Sequence, residues 1–390
     1  MSMPKNIVIC CDGTGNSFEN PDNDSNVIKL YSTLLIDGAT QVGYYHPGVG
    51  TLGDPTARNW ISRNWSKVKG LAFGGGLLEN VGDAYRYMME VYEVGDQVYL
   101  FGFSRGAYTV RALAGVLRMF GVLNSGNDGL IRYILKLYAK RTRDANRMTA
   151  TLKFAAADHF KETFSRPCPL HFVGVWDTVS SYGWIYNPVR LPYTARNPDM
   201  MNGRHAVSID ERRCFFQKNL WGEPFPNQTL KQVWFAGVHS DVGGSYYEPE
   251  SGLSKLSLEW MMAEALSFGL KVDQSKAKAM LGDPQPSNRA VPDAKAKIHN
   301  SLTRWWWIAE FLPHRYYDEA TLQAKWRIPL GAPRDVANDS VLHETAKQRV
   351  KSSIGYSPKN LKGNIDKYPI EPRVEPMFPA SAKKAQSAGA

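Results

Sequence analysis

The stretch "YLFGFSRGAYTVRALAGVL" (Tyr99–Leu117) decides how this chain is read. An apolar and aromatic run stops at Gly102-Phe103-Ser104-Arg105-Gly106, and a helical pattern follows. Val110, Leu113, Ala114, Leu117 and Phe120 recur at helical spacing, while Arg111 and Arg118 point elsewhere. The pentapeptide fits G-x-S-x-G, in which a nucleophilic serine sits on a strained strand-to-helix turn. Such a turn crowds the backbone two residues to either side, where only glycine fits. The helix then aims its N-terminal N–H groups at the point where negative charge develops. A serine in an ordinary connection is the alternative. The strand-like "DQVYLF" before it and the periodic helix after it favour the nucleophile.

Outward from this turn, strand-like and helix-like runs alternate: "NIVICC" then "NVIKLYSTLL", "QVGYYHPG" then "ENVGDAYRYMMEVY". Further on, "LHFVGVW" and "KQVWFAGV" are continuous apolar runs of the kind buried on both faces. This alternation predicts an α/β fold of the α/β-hydrolase type, with a mostly parallel central sheet and helices on both faces. Asp177 follows one apolar strand and His239 another, so serine, acid and histidine come in that order at strand ends that share one edge. Alone, an aspartate at a strand end is more often a helix cap and a histidine more often structural. Together with Ser104 they predict a catalytic triad. Asp241, two residues past His239, is a rival acid or a shaper of the "HSDVGG" loop. The Arg105 N–H, with one from Gly13 or Thr14 in "CDGTGN", is a candidate oxyanion hole; a turn closed by its own hydrogen bonds is the alternative for that loop. A phosphatase reading of "CDGTGN" fails, because Cys10 stands where the first aspartate belongs.

A roughly fifty-residue insertion rich in Pro, Asn, Arg and aromatics separates the acid strand from the histidine strand. The expected organisation is one domain over residues 1–365 and a disordered tail over 366–390. Gly74-Gly75-Gly76 lacks the Gly-Lys-Ser/Thr ending of a phosphate loop and reads as a site of close packing or hinge freedom near a helix start. Trp305, Trp306 and Trp307 stand among flanking cations; buried aromatics are expected there, with a membrane-interface belt as the alternative.

The four cysteines show no CxxC spacing, so neither a metal site nor a redox pair is expected. No cofactor is called for. With 47 Lys+Arg against 37 Asp+Glu the net charge is +10, which suits an anionic partner, whether a phospholipid surface, nucleic acid or an acidic protein, with a solvated basic surface that has no partner as the alternative. The basic residues are scattered, and no nucleic-acid motif accompanies them. No signal peptide or membrane-spanning run is apparent, so synthesis in the cytoplasm is expected.

At "GFSRGA", "GVWDTV" and "HSDVGG" together, the sequence resembles the uncharacterised α/β-hydrolase domain of type VI secretion lipase effectors. "CDGTGN", "LPYTARNP", "RHAVSIDERR", "LSLEWMMAEALSFGL" and "YSPKNL" extend the resemblance from about Asn6 to Leu361. The resemblance implies a serine phospholipase cutting acyl esters, with Ser104 as nucleophile, His239 as base and Asp177 as acid. It also implies delivery by the secretion apparatus and an immunity partner. One departure is Ser245, where the family pattern "HSDVGGGY" has glycine. A general carboxylesterase and a non-catalytic lipid-binding adaptor are the rival readings.

Overall fold

The computed structural model describes residues 3–13, 21–48, 75–140, 147–179, 183–184, 187–188, 191–283, 287–318, 323–352 and 354–374. Its centre is an eight-stranded sheet in which every pairing is parallel. The first strands in the chain are β1 (Asn6–Cys11), β2 (Gln41–His46) and β3 (Gln97–Phe103). Two short antiparallel pairs flank the next strand, β6 (Leu170–Trp176): β4 (Val122–Leu123) with β5 (Ser165–Arg166), and β7 (Gly183–Trp184) with β8 (Asn187–Pro188). Then come β9 (Met200–Ser208), β10 (Thr229–Phe235), the antiparallel hairpin β11 (His314–Asp318) and β12 (Gln323–Arg327), β13 (Val341–His343) and β14 (Ile370–Glu371). Across the sheet the order is β14-β13-β10-β9-β6-β3-β1-β2.

Both faces are covered, as continuous apolar strands require. Ile7, Ile9, Val98, Leu100, Val173 and Val175 pack beneath the helices Gly75–Val91, Arg105–Phe120 and Ile131–Ala139. Val8, Cys10, Tyr99, Phe101, Phe172 and Trp176 point the other way, against Asn26–Thr33, Gly252–Ser267 and Gln274–Met280. The period-2 alternation of each strand thus divides its residues between two cores. The fold is α/β-hydrolase-like, as the alternating pattern predicted. After β1 the chain first adds β2 on one side, then β3 on the other, so the order reverses at β1/β3. A crevice opens at the carboxyl ends of strands where the order reverses.

Two expectations need correction, and the insertion between the acid and histidine strands carries a strand of its own, β9, which lies between β6 and β10. Its sequence, "MMNGRHAVS", carries Asn202, Arg204 and His205 inside the fold, so it lacks the apolar run of a buried strand. Residues 366–374 are not tail: Tyr368 is buried and Ile370–Glu371 form the last strand of the sheet. Arg111 does not face away from the core but is buried, donating to the carbonyls of Thr194 at 2.8 Å and Asn219 at 2.5 Å and so binding the insertion to its helix. No helix of the described residues is long and apolar enough to cross a membrane. All four cysteines are buried and free.

Candidate active site

Ser104 follows the last residue of β3 with φ 58° and ψ −120°, backbone that an L-residue adopts only under strain. The helix Arg105–Phe120 starts at the next residue. A Cβ on Gly102 would stand 2.6 Å from the Gly106 carbonyl oxygen, and one on Gly106 only 2.1 Å from that of Cys11. Both motif glycines are therefore required by backbone that passes where a side chain would be. The Ser104 N–H donates to the Trp176 carbonyl at 3.1 Å, tying the turn to the end of β6.

Phe103 and Trp176 are register partners on β3 and β6, so Ser104 and Asp177 leave adjacent strands at the same level. Asp177, also at positive φ (37°), is 1% exposed. Its Oδ2 accepts from His239 Nδ1 at 2.5 Å, and its Oδ1 accepts from the Ser208 N–H at 2.9 Å. Arg334 grips both oxygens, Nη1 to Oδ1 at 2.5 Å and Nη2 to Oδ2 at 3.0 Å. Burial alone would raise this carboxyl's pKa. The Arg334 guanidinium and the His239 hydrogen bond override it and hold the group well below the usual carboxylate range.

His239 opens the short helix His239–Gly243 and is buried between two rings, Phe103 at 4.6 Å and Phe216 at 4.8 Å between centroids. Gly243 makes room for this stack, since a Cβ there would stand 1.9 Å from the Phe103 ring. Burial pulls the imidazole pKa below its ordinary value, and the bond to Asp177 opposes the shift. With Nδ1 donating to Asp177, Nε2 of the neutral ring is left as the acceptor. The His239 N–H donates to Glu211 at 3.2 Å, and Glu211 also takes the Arg213 guanidinium at 2.9 Å. Burial works against ionisation of Glu211, but Arg213 holds its pKa down at about 2.

The structure therefore pairs His239 with Asp177 and puts Ser104 next to Phe103, the ring stacked on the imidazole. Among the described residues, Ser104 approaches the pair through that neighbour and not through a hydrogen bond of its own hydroxyl. Asp241 is directed elsewhere: it accepts from the Val238 N–H at 3.0 Å, the His299 N–H at 3.1 Å and His299 Nδ1 at 2.6 Å. Gly13 lies against the turn, where a Cβ would stand 3.2 Å from that of Ser104, but its N–H donates to its own neighbour, Asp12 Oδ1, at 2.6 Å. Thr14 lies outside the described residues. Arg105 leads the helix, half-buried, and burial lowers its guanidinium pKa to about 10. Ser245 takes φ 83°, the left-handed backbone that explains glycine in the family pattern.

Arg334 and His205 went unread in the sequence. Arg334 lies 157 residues beyond the carboxylate it grips, in a stretch with no motif of its own. His205 accepts the Thr178 N–H on Nε2 at 3.1 Å and so supports the turn that carries Asp177. The one signal in the sequence is a histidine within the insertion.

Residues 5–264 match the family model described as T6SS phospholipase effector Tle1-like, catalytic domain. Among curated proteins, "Uncharacterized protein YEL023C" of Saccharomyces cerevisiae is 36% identical over 233 residues, 58% of this chain and 34% of that protein's length. A solved structure described as an uncharacterized protein from Pseudomonas aeruginosa covers 70% of this chain and 47% of its own, at 20% identity and a TM-score of 0.40.

Proposed function

The chain belongs to the Tle1-like family of type VI secretion phospholipase effector catalytic domains, and from that premise we propose that it is a serine hydrolase that cuts acyl esters of membrane phospholipids. The observation that carries the reading is the buried Asp177–His239 pair at the sheet edge where Ser104 stands on its strained turn.

His239 Nε2 takes the proton of the Ser104 hydroxyl as Oγ attacks the ester carbonyl carbon. Asp177 fixes the tautomer and stabilises the imidazolium that forms. The oxyanion is held by the Arg105 N–H at the positive end of its helix. Gly13 can serve as the second donor only by releasing Asp12. The tetrahedral species collapses, and the imidazolium proton goes to the departing lyso-lipid alcohol. Water then adds to the acyl-serine with His239 as base, and the proton returns to Ser104 as the fatty acid leaves. Family membership supports delivery by a secretion apparatus and the existence of an immunity partner as parts of the same proposal.

Ser104→Ala is expected to lower ester turnover by roughly a thousandfold or more while the protein stays folded. It is also expected to abolish labelling by a fluorophosphonate probe. Mass spectrometry of mixed bacterial phospholipids incubated with each protein is expected to show free fatty acid and lyso-lipid only with the parent chain. Wild-type turnover by the variant would end the proposal. A marked preference for water-soluble esters over vesicles would point instead to a general carboxylesterase.

A further inference from the structure

The helix Arg304–Glu310 and the hairpin β11–β12 form a unit that exposes several large apolar side chains among the described residues. Of the seventeen large hydrophobic side chains exposed among the described residues, six fall between positions 308 and 330. They are Ile308, Phe311, Leu312, Trp326, Ile328 and Leu330, with Phe311 62% and Trp326 60% exposed. Exposed apolar groups scattered singly need no explanation, but a concentration of this kind marks a contact surface. The Leu330 N–H donates to the Glu310 carbonyl at 3.1 Å, bringing the segment after the hairpin back to the end of the helix.

Two further observations specify what this surface meets. Arg304, Lys325 and Arg327 are exposed in the same unit, and of the three acids in this stretch of sequence, Glu310, Asp318 and Glu319, Glu310 is buried and accepts the N–H groups of Cys214 and Gly331. Lys325 and Arg327 leave the opposite face of β12 from Trp326, so the unit exposes aromatic and aliphatic groups with cations flanking them, on a chain of net charge +10. That combination matches an anionic lipid surface, where apolar groups enter the acyl boundary and cations stay at the headgroups. The unit also adjoins the site. Trp306 packs edge-on against Phe216 at 5.7 Å, and Phe216 packs edge-on against His239 at 4.8 Å. Arg213 lies over the Phe216 ring at 3.6 Å and over Trp306 at 5.3 Å, joining the two layers.

We propose that the unit formed by residues 304–318 and 323–330 is the docking face by which the chain seats itself on an anionic phospholipid surface, beside His239. The proposal rests on the phospholipid-hydrolase reading above and gives it a location.

The test uses the full chain carrying Ser104→Ala as parent, so that the lipid is not consumed. Partitioning is measured by co-sedimentation with vesicles of equimolar phosphatidylcholine and phosphatidylglycerol, and with phosphatidylcholine alone. Adding Phe311→Ser and Trp326→Ser is expected to lower partitioning onto the anionic vesicles about tenfold or more. Adding Lys325→Glu and Arg327→Glu is expected to lower it on anionic but little on neutral vesicles, since each surface cation is worth roughly a fivefold factor. Thermal unfolding unchanged from the parent verifies the fold; if the aromatic pair fails this control, Ile328→Ser takes its place. Partitioning of both variants equal to the parent overturns the proposal, as does a parent that does not partition at all. Light scattering covers the case of a second copy on this face: conversion of a dimer to a monomer by Phe311→Ser, with vesicle binding kept, also overturns it. Absence of phospholipid turnover in the wild-type chain, with these partitioning differences intact, removes the hydrolase and leaves the docking face standing.

Discussion

Arg334 sets the electrostatics of the site through Asp177. Facing the imidazole are the Asp177 carboxylate, with Arg334 behind it, and Glu211 with Arg213; the aromatic walls are Phe103 and Phe216. Taking a cation away from this group favours the protonated imidazole, so Arg334→Met raises the His239 pKa. The acid limb of kcat/KM on a soluble ester is then expected to move to higher pH, with turnover at neutral pH reduced about tenfold or more. Arg334→Lys keeps the charge but not the two-pronged grip, and is expected to restore the position of the limb more than the rate. The pH–rate profile decides the point. A loss equal at every pH would mean that Arg334 only holds the loop. The cost to stability is expected to be about 3–5 kcal/mol, because the variant leaves the Asp177 charge buried with fewer partners.

The last strand shows how an element that reads as tail can close a sheet. Tyr368 sits in the core beneath β13 and β10, and the Leu342 N–H donates to the Pro369 carbonyl at 2.9 Å. Glu371 accepts from Lys231 at 2.7 Å, while Arg373 donates to Glu259 at 3.0 Å. Removing residues 366–390 takes away a buried aromatic and leaves the Glu259 carboxylate without this cation. The expected loss is more than about 3 kcal/mol, read as a lower urea midpoint. An unchanged midpoint would show that β14 contributes nothing. Strands β1, β3 and β6 were legible because each carries a continuous apolar run that two covered faces require, and β10 because its last three residues do. β9 and β14 were not, the first because polar side chains replace that run and the second because two residues carry no period. The same contrast holds at the site. The placement of Ser104, Asp177 and His239 at strand ends was legible because each follows a readable strand, whereas Arg334 reaches Asp177 only once β13 and its flanking loop have been placed.

The whole molecule holds several histidines that cannot be protonated without cost. Burial lowers His205 to about 3, reinforced by Arg111, and lowers His343 to about 3, reinforced by Arg373. Protonating His205 would also cancel the acceptor that holds the Thr178 N–H. Unfolded histidine takes up its proton near 6.5, so between pH 6 and pH 4 the unfolded chain binds about two protons that the native chain refuses. Asp210 acts in the opposite sense. Burial raises its carboxyl to about 6, against hydrogen bonds from Gly237 and Tyr356, so in this window the native state keeps about one proton that the unfolded state releases. Among these three groups the balance is about one proton in favour of unfolding, or about 1.4 kcal/mol of stability lost per unit as the pH falls, with Asp24 and Glu259, whose carboxyls burial also raises, opposing it as Asp210 does. His239 is shifted in the same direction as the other two histidines and steepens the loss. Below pH 4.5, Glu211, held at about 2 by Arg213, adds to it, because its unfolded carboxyl protonates first. Urea midpoints at pH 7, 5 and 4 are therefore expected to decline steadily. His205→Gln and His343→Gln in one chain are expected to flatten or reverse the slope between pH 6 and 4, because Asp210 then acts with fewer histidines against it. A wild-type midpoint that rises toward pH 4 would mean that the buried imidazoles are not what limits this fold in acid.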